Sequence, residues 1–445
     1  MITIGKIELN NFRFFIDDEA NNTFKPNTKG MLVYGENGSG KTSLYKAFDF
    51  LSTPTIQNEE FSKEINIFNQ DDTYLEFDFS NDETLRIDSD HLSLDGEYPF
   101  IEKLSVSKPI IDYKSLLKIS HSVDSAEKKN LYTFFQIILE NYPINIDDKK
   151  LLKELDDPEI YYEEYKRIIQ EELFDDINLF LKKFNHGFKI TDIRLSGIGK
   201  TAYLEIDYFD KSILTYQNFL NEARLSALAI SVYFAIIKKQ FSFLEEESLK
   251  ILILDDLLIS LDMNNRLNLV KILQEEFNEF QIFFFTHEKA LYDLINEKMN
   301  LKAYEIYVTK KDDYEIPFIK QSNTLLEQAI QQKDTYNYGC SANLLRQFTE
   351  KILCDYLPKE QTIGAKCKKL NLDSLLTKAK TFEDTKTTNI NEDLLNCFIK
   401  LKTFKRVLLN NASHYNSTDI YKAELEDAIK TLEELEKIIK ILKET

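Results

Sequence analysis

One short segment near the start of the chain spaces glycine, lysine and threonine in a way that suits phosphate chemistry. It comprises Gly35, Glu36, Asn37, Gly38, Ser39, Gly40, Lys41 and Thr42, followed by Ser43, and it fits G-x-x-x-x-G-K-[ST] at every fixed position. Glycines let backbone N–H groups approach an anion closely, and the lysine adds positive charge. The sequence therefore predicts a loop that holds nucleotide phosphates. Lys41 would reach the β- and γ-phosphates, and the Thr42 hydroxyl would bind Mg²⁺.

The residues on either side of this loop predict the elements that must position it. Residues 31–34 are apolar and predict a buried strand, while residues 43–48 predict the start of a helix. The positive end of that helix would face the bound phosphates. The alternative interpretation is a glycine turn that binds no ligand.

A second group of polar residues follows two apolar runs further along the chain. Residues 251–254 and 282–285 are continuously apolar, which is typical of strands buried in a parallel sheet. Asp255 and Asp256 follow the first run, and His287 follows the second. Asp255 would hold Mg²⁺, Asp256 would orient or deprotonate the attacking water, and His287 would contact the γ-phosphate. The alternative is a solvated strand end beside a structural histidine.

Charge is unevenly distributed along the 445 residues. The whole chain carries a net charge of −19, yet residues 321–445 hold 19 Lys+Arg against 18 Asp+Glu. The acidic balance of the first part argues against indiscriminate binding to long nucleic acid. This difference in charge suggests that the two parts of the chain have different functions, although ordinary surface variation would also produce the difference.

Composition and patterning also indicate the cellular setting. No apolar run approaches the roughly 18 residues of a membrane span, and the start of the chain does not resemble a signal peptide. The four cysteines match no zinc-binding spacing, which favours buried thiols in a reduced compartment. We therefore expect a cytoplasmic protein without a membrane partner.

Element patterns predict an α/β domain followed by an all-α domain. Residues 1–318 show strands and helices typical of a mixed sheet, with a charged helical insertion at about 113–185. From residue 319 to 445 the pattern is helical. The Pro-containing, charged stretch before this boundary separates the two domains.

Taken together, these motifs resemble the ABC-type ATPases of the branch that includes the SMC, RecF-like and overcoming-lysogenization-defect proteins. The resemblance makes Asp255 the Walker B residue, Ser260-Leu261-Asp262 the D-loop and His287 the switch histidine. Asp256 stands where many members carry glutamate, so turnover would be slow. A glutamine-loop candidate is Asp112-Tyr113-Lys114-Ser115.

The same resemblance implies ATP and Mg²⁺ as cofactors and a homodimer or higher oligomer formed through the ATPase domains. Members of the family hydrolyse ATP in head-to-tail pairs, in which the signature motif of one copy completes the site of the other. The corresponding segment here runs from Asn221 to Ala227. It lacks the usual glycines, and Asn221 and Ser226 are its candidate contacts to the nucleotide.

The helical domain carries a second set of candidate catalytic residues. Arg346 and Glu350 are four residues apart and share one face of an amphipathic helix. His414 follows a basic helix and an Asn/Ser-rich turn. Each feature alone has a structural explanation, either a surface ion pair or a helix cap.

In combination, Arg346, Glu350 and Ser413-His414 resemble the motif of the PrrC- and RloC-type anticodon nucleases. Those proteins join an ABC-type ATPase to a HEPN-like, metal-independent ribonuclease. The resemblance implies a nucleotide-gated antiviral toxin that cuts tRNA, with His414 as general acid/base and Arg346 at the phosphorane charge. Glu350 would orient Arg346 or accept the 2′-OH proton. To bring Glu350 and His414 into one site, an insertion at about 360–395 would have to loop out of the helical domain.

The sequence is also compatible with two other functions. The first is a Septu-like sensor or scaffold ATPase that regulates a separate partner nuclease through an inert helical tail. The second is a DNA-repair ATPase of the RecF-like kind, against which the acidic first domain and the lack of long coiled-coil arms both count.

Overall fold

The computed structural model describes most of the chain and groups it into two compact units. The described residues are 2–94, 96, 98–102, 104, 110–112, 131–139, 142–145, 150–196, 200–213, 220–242, 248–256, 263–311, 313–321, 325–363, 370–385, 391–404 and 420–444. Unit 1 spans Met1–Ser322 and unit 2 spans Asn323–Thr445.

All of the described strands belong to unit 1. In chain order they are β1 Ile4–Asn10, β2 Thr23–Phe24, β3 Gly30–Gly35, β4 Tyr74–Phe79, β5 Thr84–Ile87, β6 Ile110–Asp112, β7 Pro143–Asn145, β8 Lys150–Leu151, β9 Phe188–Ser196, β10 Thr201–Tyr208, β11 Lys211–Ile213, β12 Ile251–Asp255, β13 Gln281–Thr286, β14 Lys302–Lys311 and β15 Tyr314–Gln321.

Helices occur in both units. Those of unit 1 are α1 Glu19–Asn22, α2 Lys41–Leu51, α3 Asn58–Ser62, α4 Pro99–Glu102, α5 Tyr132–Leu139, α6 Pro158–Arg167, α7 Phe174–Phe184, α8 Glu222–Ser242, α9 Met263–Glu276 and α10 Lys289–Lys298. Those of unit 2 are α11 Leu325–Asp334, α12 Tyr338–Tyr356, α13 Leu372–Asp384, α14 Glu392–Thr403 and α15 Lys422–Glu444.

The largest sheet of unit 1 is mixed and has six strands in the order β15-β14-β3-β13-β12-β6. All neighbours pair in parallel except β14 and β15, which form an antiparallel hairpin. The predicted apolar runs lie in β12 and β13, and every residue of β13 is buried. Because Asp255 pairs with Phe285 and Phe285 pairs with Val33, these three strands end at the same edge of the sheet.

A second, antiparallel sheet has the order β2-β1-β4-β5. Helix α2 contacts both sheets through Phe48. The ring of Phe48 lies 4.5 Å from Phe283 of the mixed sheet and 6.0 Å from Phe77 of the antiparallel sheet, measured between centroids. Burying an aromatic side chain on both sides fixes α2 firmly, and with it the loop that precedes α2.

The stretch predicted as a helical insertion is helical only in part. Helices α5, α6 and α7 lie within it, and Ile168–Leu173 forms a π-helical turn between α6 and α7. However, β7 and β8 pair as a short antiparallel ribbon, so the prediction of helix is wrong there. Pro143 explains this, because proline lacks an N–H and disfavours helical backbone in the residue before it. Residues 113–130 lie outside the described residues.

The elements of unit 2 among the described residues are helices, and its core is aliphatic and aromatic. Fully buried members include Leu345, Leu376, Phe398 and Leu432. Within the described parts of both units, no helix combines the length and apolar character needed to cross a bilayer.

The expectation that the cysteines are buried is wrong for two of them. Cys340 and Cys354 are exposed, whereas Cys397 is buried. Both exposed thiols belong to α12 and lie outside its buried face, which includes Leu345, Phe348, Ile352 and Leu353. Cys367 lies outside the described residues.

Candidate functional site

The glycine-rich loop joins β3 to α2 and is too tightly packed for larger side chains at two positions. Gly40 has φ +108°, and a Cβ there would lie 3.1 Å from the ring of Phe14. A Cβ on Gly35 would lie 2.2 Å from the Ser39 Oγ. Glycine is therefore required at both ends of the loop, at Gly40 because its backbone is left-handed and closely packed, and at Gly35 because a Cβ has no room there.

Lys41 is 6% exposed, and its amine lies inside the loop. Nζ donates hydrogen bonds to the carbonyl oxygens of Gly35, at 2.6 Å, and Glu36, at 3.1 Å. Burial lowers the pKa of Lys41, while the nearby charges of Asp256 and Asp255 act in the opposite direction. Lys41 thus lies near both carboxylates and has little contact with water. An amine in this setting favours contact with an added anion.

The loop and the first turn of α2 open onto a cavity of about 840 Å³. Gly40 begins the helix without a side-chain cap, so the first helical amides have no side-chain acceptor at that position. Ser39 Oγ is buried and has no hydrogen-bond partner in the described part of the chain. The cavity wall includes the loop and helix residues Asn37, Gly38, Gly40, Lys41, Thr42 and Ser43, together with Asp256. Such a wall is suited to an anion.

Asp256 and His287 link the ends of the neighbouring strands β12 and β13. Asp256 Oδ1 accepts a hydrogen bond from the His287 backbone N–H at 2.9 Å and lies 2.8 Å from the His287 ring Nδ1. The Asp256 backbone has φ +49°, and its N–H donates to the Phe285 carbonyl at 3.0 Å. Binding to a carboxylate assigns the proton to Nδ1, and this leaves Nε2 for a ligand or water.

Three consecutive residues after β13 are each tied to a different element. His287 contacts Asp256, Glu288 pairs with Arg266 of α9 at 2.6 Å, and Lys289 Nζ lies 2.7 Å from Glu305 of β14. Burial raises the pKa of the Glu305 carboxyl, but the hydrogen bonds from Lys289 and Tyr307 outweigh it and hold that pKa below its usual range. No sequence pattern indicated Arg266, Glu288, Lys289 and Glu305, because their pairing depends on the tertiary fold.

The oxygen donors near the loop fit a magnesium ion. Thr42 offers an exposed hydroxyl on the cavity wall, and Asp255 offers a carboxylate at the end of β12. Mg²⁺ in phosphate sites commonly takes only one or two protein ligands, with water and phosphate oxygens supplying the rest. Among the described residues, no cluster of three or more His, Cys, Asp or Glu side chains offers a dedicated metal site.

The candidate signature segment lies at the start of α8. Asn221 Oδ1 accepts a hydrogen bond from the Arg224 backbone N–H at 3.1 Å, so Asn221 caps this helix. Ser226 lies one turn into the helix, and no described residue of α8 lines the cavity. Asn221 and Ser226 therefore do not belong to the phosphate-loop cavity of their own chain.

Several predicted site residues fall outside the described residues. They are Ser260, Leu261 and Asp262 of the D-loop candidate, residues 113–115 of the glutamine-loop candidate, and Ser413 and His414 of unit 2. Asp112 ends β6 and is paired in register with Asp255.

Arg346 and Glu350 meet on the surface of α12 in unit 2. Arg346 Nε lies 3.1 Å from Glu350 Oε1, and about a third of each side chain is exposed, at 31% and 36%. The predicted i,i+4 contact is therefore present. An ion pair of this exposure contributes little to stability and leaves both groups accessible to solvent.

No protein-family model matches the chain, and no curated protein matches it either. Among solved structures, an Smc head bound to the C-winged helix domain of ScpA aligns at 11% identity, with a TM-score of 0.44, over 73% of this chain and 99% of that chain. A Pyrococcus furiosus Smc head domain with an extended coiled coil, bound to the C-terminal domain of ScpA, aligns at 16% identity and TM-score 0.40, over 76% and 100%. The SMC head domain from Thermotoga maritima aligns at 12% identity and TM-score 0.40, over 72% and 99%. These likenesses are remote.

Proposed function

We propose that unit 1 binds ATP with Mg²⁺ and hydrolyses it. One observation carries this proposal: the adjacent strands β3, β13 and β12 end at the same edge, so Lys41 and Asp256 line one cavity, while His287 is hydrogen-bonded to Asp256 and Asp255 ends β12. Ligands of α/β proteins bind at the carboxyl ends of parallel strands. A buried lysine, helix-terminal amides and two carboxylates suit a metal-bound triphosphate.

Different residues of the site bind the nucleotide and assist its cleavage. Lys41 and the backbone amides of the loop bind the β- and γ-phosphates, while Thr42 and Asp255 hold Mg²⁺. The metal neutralises phosphate charge when it is bound. Asp256 Oδ2, which makes no hydrogen bond within the described residues, orients the attacking water and accepts its proton. His287 keeps Nε2 for the γ-phosphate because its Nδ1 is bound to Asp256.

A second copy of the chain completes the site. Asn221 and Ser226 lie at the start of α8, away from the cavity of their own chain. In the proposed head-to-tail dimer or higher oligomer, they contact the γ-phosphate of the partner. The capping bond to Arg224 holds Asn221 in one conformation, which limits the entropy lost on contact.

Calorimetric titration of the full chain with Mg·ATP tests nucleotide binding. Lys41→Ala should abolish binding, because it removes the cation in the loop. Lys46→Ala is the matched control: Lys46 lies on the same helix but pairs with Asp49 and Glu60, at 2.7 and 2.8 Å. We expect the control to bind ATP as the wild type does. Equal affinity in the wild type and Lys41→Ala would refute the proposed site.

For unit 2 we propose a metal-independent ribonuclease that acts on tRNA in the cytoplasm as an antiviral toxin. The supporting observation is the Arg346–Glu350 pair, which is oriented at 3.1 Å and yet is about one third exposed. Cleavage by the RNA 2′-OH needs a cation at the phosphorane and a general acid/base. Arg346 and His414 supply these groups, Glu350 orients the guanidinium, and the nucleotide state of unit 1 regulates the reaction.

Incubation of the full chain with total tRNA and Mg·ATP tests this activity. Wild-type protein should cut tRNA, and Arg346→Ala and His414→Ala should not, while all three proteins bind ATP equally. Arg194→Ala, which removes an exposed guanidinium from β9 of unit 1, away from the phosphate-loop cavity, is the control for lost positive charge. If the wild type leaves tRNA intact, the ribonuclease proposal fails. The result would then favour the scaffold function, in which a separate partner nuclease does the cutting.

A further inference from the structure

The cavity beside the phosphate loop continues to a pair of stacked aromatic rings. Phe68 and Tyr314 both line it, with ring centroids 4.5 Å apart and ring planes inclined by 13°. Phe68 is 58% exposed, although it is a large apolar side chain. A volume of about 840 Å³ exceeds what a triphosphate alone would fill and lies within the range of cofactor sites, about 300–1,000 Å³.

Phe68 is held in place by the segment that precedes it. Asn66 is 4% exposed, and its Oδ1 accepts hydrogen bonds from the backbone N–H groups of Phe68, at 2.8 Å, and Asn69, at 3.0 Å. Asn66 Nδ2 donates to the Arg13 carbonyl at 2.7 Å, and the Arg13 guanidinium pairs with Glu64 at 2.5 Å. This network connects the Phe68 segment to the residues that follow β1.

Tyr314 is positioned independently by the sheet. It is the first residue of β15 and pairs with Lys311 across the hairpin from β14. Strand β14 is itself hydrogen-bonded to β3, the strand that leads into the phosphate loop. The two rings therefore come from segments far apart in sequence, and each is fixed relative to the loop.

We propose that the Phe68–Tyr314 pair is a stacking platform for the nucleobase of the bound nucleotide, an inference that rests on the proposed ATP site. An exposed, oriented aromatic face in the wall of a phosphate-binding cavity is suited to a heteroaromatic base. Stacking uses the π-face of the base, and a purine offers more of it than a pyrimidine. The platform therefore favours purine over pyrimidine nucleoside triphosphates.

The chain contains no tryptophan, so a Phe68→Trp variant carries a single fluorescent reporter on the platform. Its emission should change on titration with Mg·ATP, and it should not change with Mg·tripolyphosphate, which has no base. An equal change with tripolyphosphate would overturn the stacking role, since the ring would then be reporting loop closure.

Binding measurements on Phe68→Ala and Tyr314→Ala separate the base from the phosphates. We expect ATP affinity to fall about tenfold, the preference for ATP over CTP to shrink, and tripolyphosphate affinity to remain unchanged. Phe318→Ala is the matched control, because Phe318 is a 47%-exposed aromatic on the same hairpin that does not line the cavity. It should bind like the wild type.

These binding measurements distinguish a wrong assignment of the stacking platform from a wrong assignment of the ATP site. If both platform variants bind ATP with wild-type affinity and selectivity, the platform is refuted while the ATP site stands. If wild-type protein binds neither tripolyphosphate nor ATP, the ATP site fails and the platform with it. A variant that loses affinity for tripolyphosphate as much as for ATP contradicts base stacking, because its defect then lies in the loop.

Discussion

The carboxylate of Asp256 receives two hydrogen bonds from one residue, the backbone N–H and the ring Nδ1 of His287, at 2.9 and 2.8 Å. Both residues follow buried parallel strands, and Asp256 adopts φ +49° to make this contact. Backbone in this region is costly for most residues and is often found at functional sites. The pair therefore fixes the histidine ring relative to the strand that carries both aspartates.

Asp256→Asn should uncouple hydrolysis from binding. Asparagine tolerates positive φ and keeps the hydrogen-bonding shape, but it cannot accept a proton. We expect the rate of phosphate release to fall about 100-fold or more, with nucleotide affinity close to that of the wild type. Steady-state phosphate release and calorimetry measure the two quantities. Wild-type turnover in this variant would show that Asp256 does not act on the water.

The ion pair between Arg266 and Glu288 should affect turnover more than binding. Glu288 directly follows His287, and the pair is 2.6 Å apart with only 14% and 28% of its side chains exposed. Arg266→Glu should lower kcat by roughly 10- to 100-fold through displacement of His287, and leave KM unchanged.

The charge-reversed double variant, Arg266→Glu with Glu288→Arg, provides the control. It should recover part of the lost kcat; recovery is incomplete because an arginine at the start of α10 opposes the helix dipole. If the single variant raises KM and leaves kcat intact, the pair acts in binding and its proposed positioning role is wrong.

As the pH is raised, nucleotide affinity should begin to fall at a lower pH than it would if Lys41 had the pKa of an ordinary lysine. Burial lowers the pKa of Lys41 in the free protein, and a bound phosphate stabilises the charged amine and raises that pKa again. Binding is therefore unaffected by pH below the lowered value and weakens as pH rises through it, because a proton must then be taken up.

Dissociation constants for Mg·ATP measured from about pH 7 to about pH 10 test this prediction, with an ordinary lysine pKa of about 10.4 as the reference. Lys46→Ala should show the same pH dependence as the wild type. An affinity that rises with pH over this interval would contradict the role of Lys41.

Glu350→Gln should separate catalysis from stability in unit 2. The exposed i,i+4 pair with Arg346 contributes about 0.3–0.5 kcal/mol, so the free energy of unfolding should change by no more than that. RNA cleavage should fall steeply, because the guanidinium loses the negative charge that orients it at position 350. Denaturant unfolding and a tRNA cleavage assay measure the two effects. Full cleavage by this variant would remove Glu350 from the site.

Features set by local sequence were predictable. The glycine spacing around Lys41 and the apolar runs before Asp255 and His287 gave the loop and the buried strands, because backbone conformation and burial depend on neighbouring residues there. Parallel pairing then placed Asp256 near His287.

Other features depend on contacts that no periodic pattern in the sequence predicts. The Arg266–Glu288 pair and the Phe68–Tyr314 stack join elements that only the tertiary fold brings together. The prediction of helix failed at Pro143, where β7 forms, because a local breaker outweighed the surrounding helical composition.

The nucleotide recovered with the protein after incubation with Mg·ATP tests the central claim most directly. The full chain, Asp256→Asn and Lys41→Ala would be incubated, separated from free nucleotide, and analysed for ATP and ADP. We predict ADP with the wild type, intact ATP with Asp256→Asn, and almost no nucleotide with Lys41→Ala. Intact ATP in the wild-type sample, or ADP with Lys41→Ala at the wild-type level, would contradict the account.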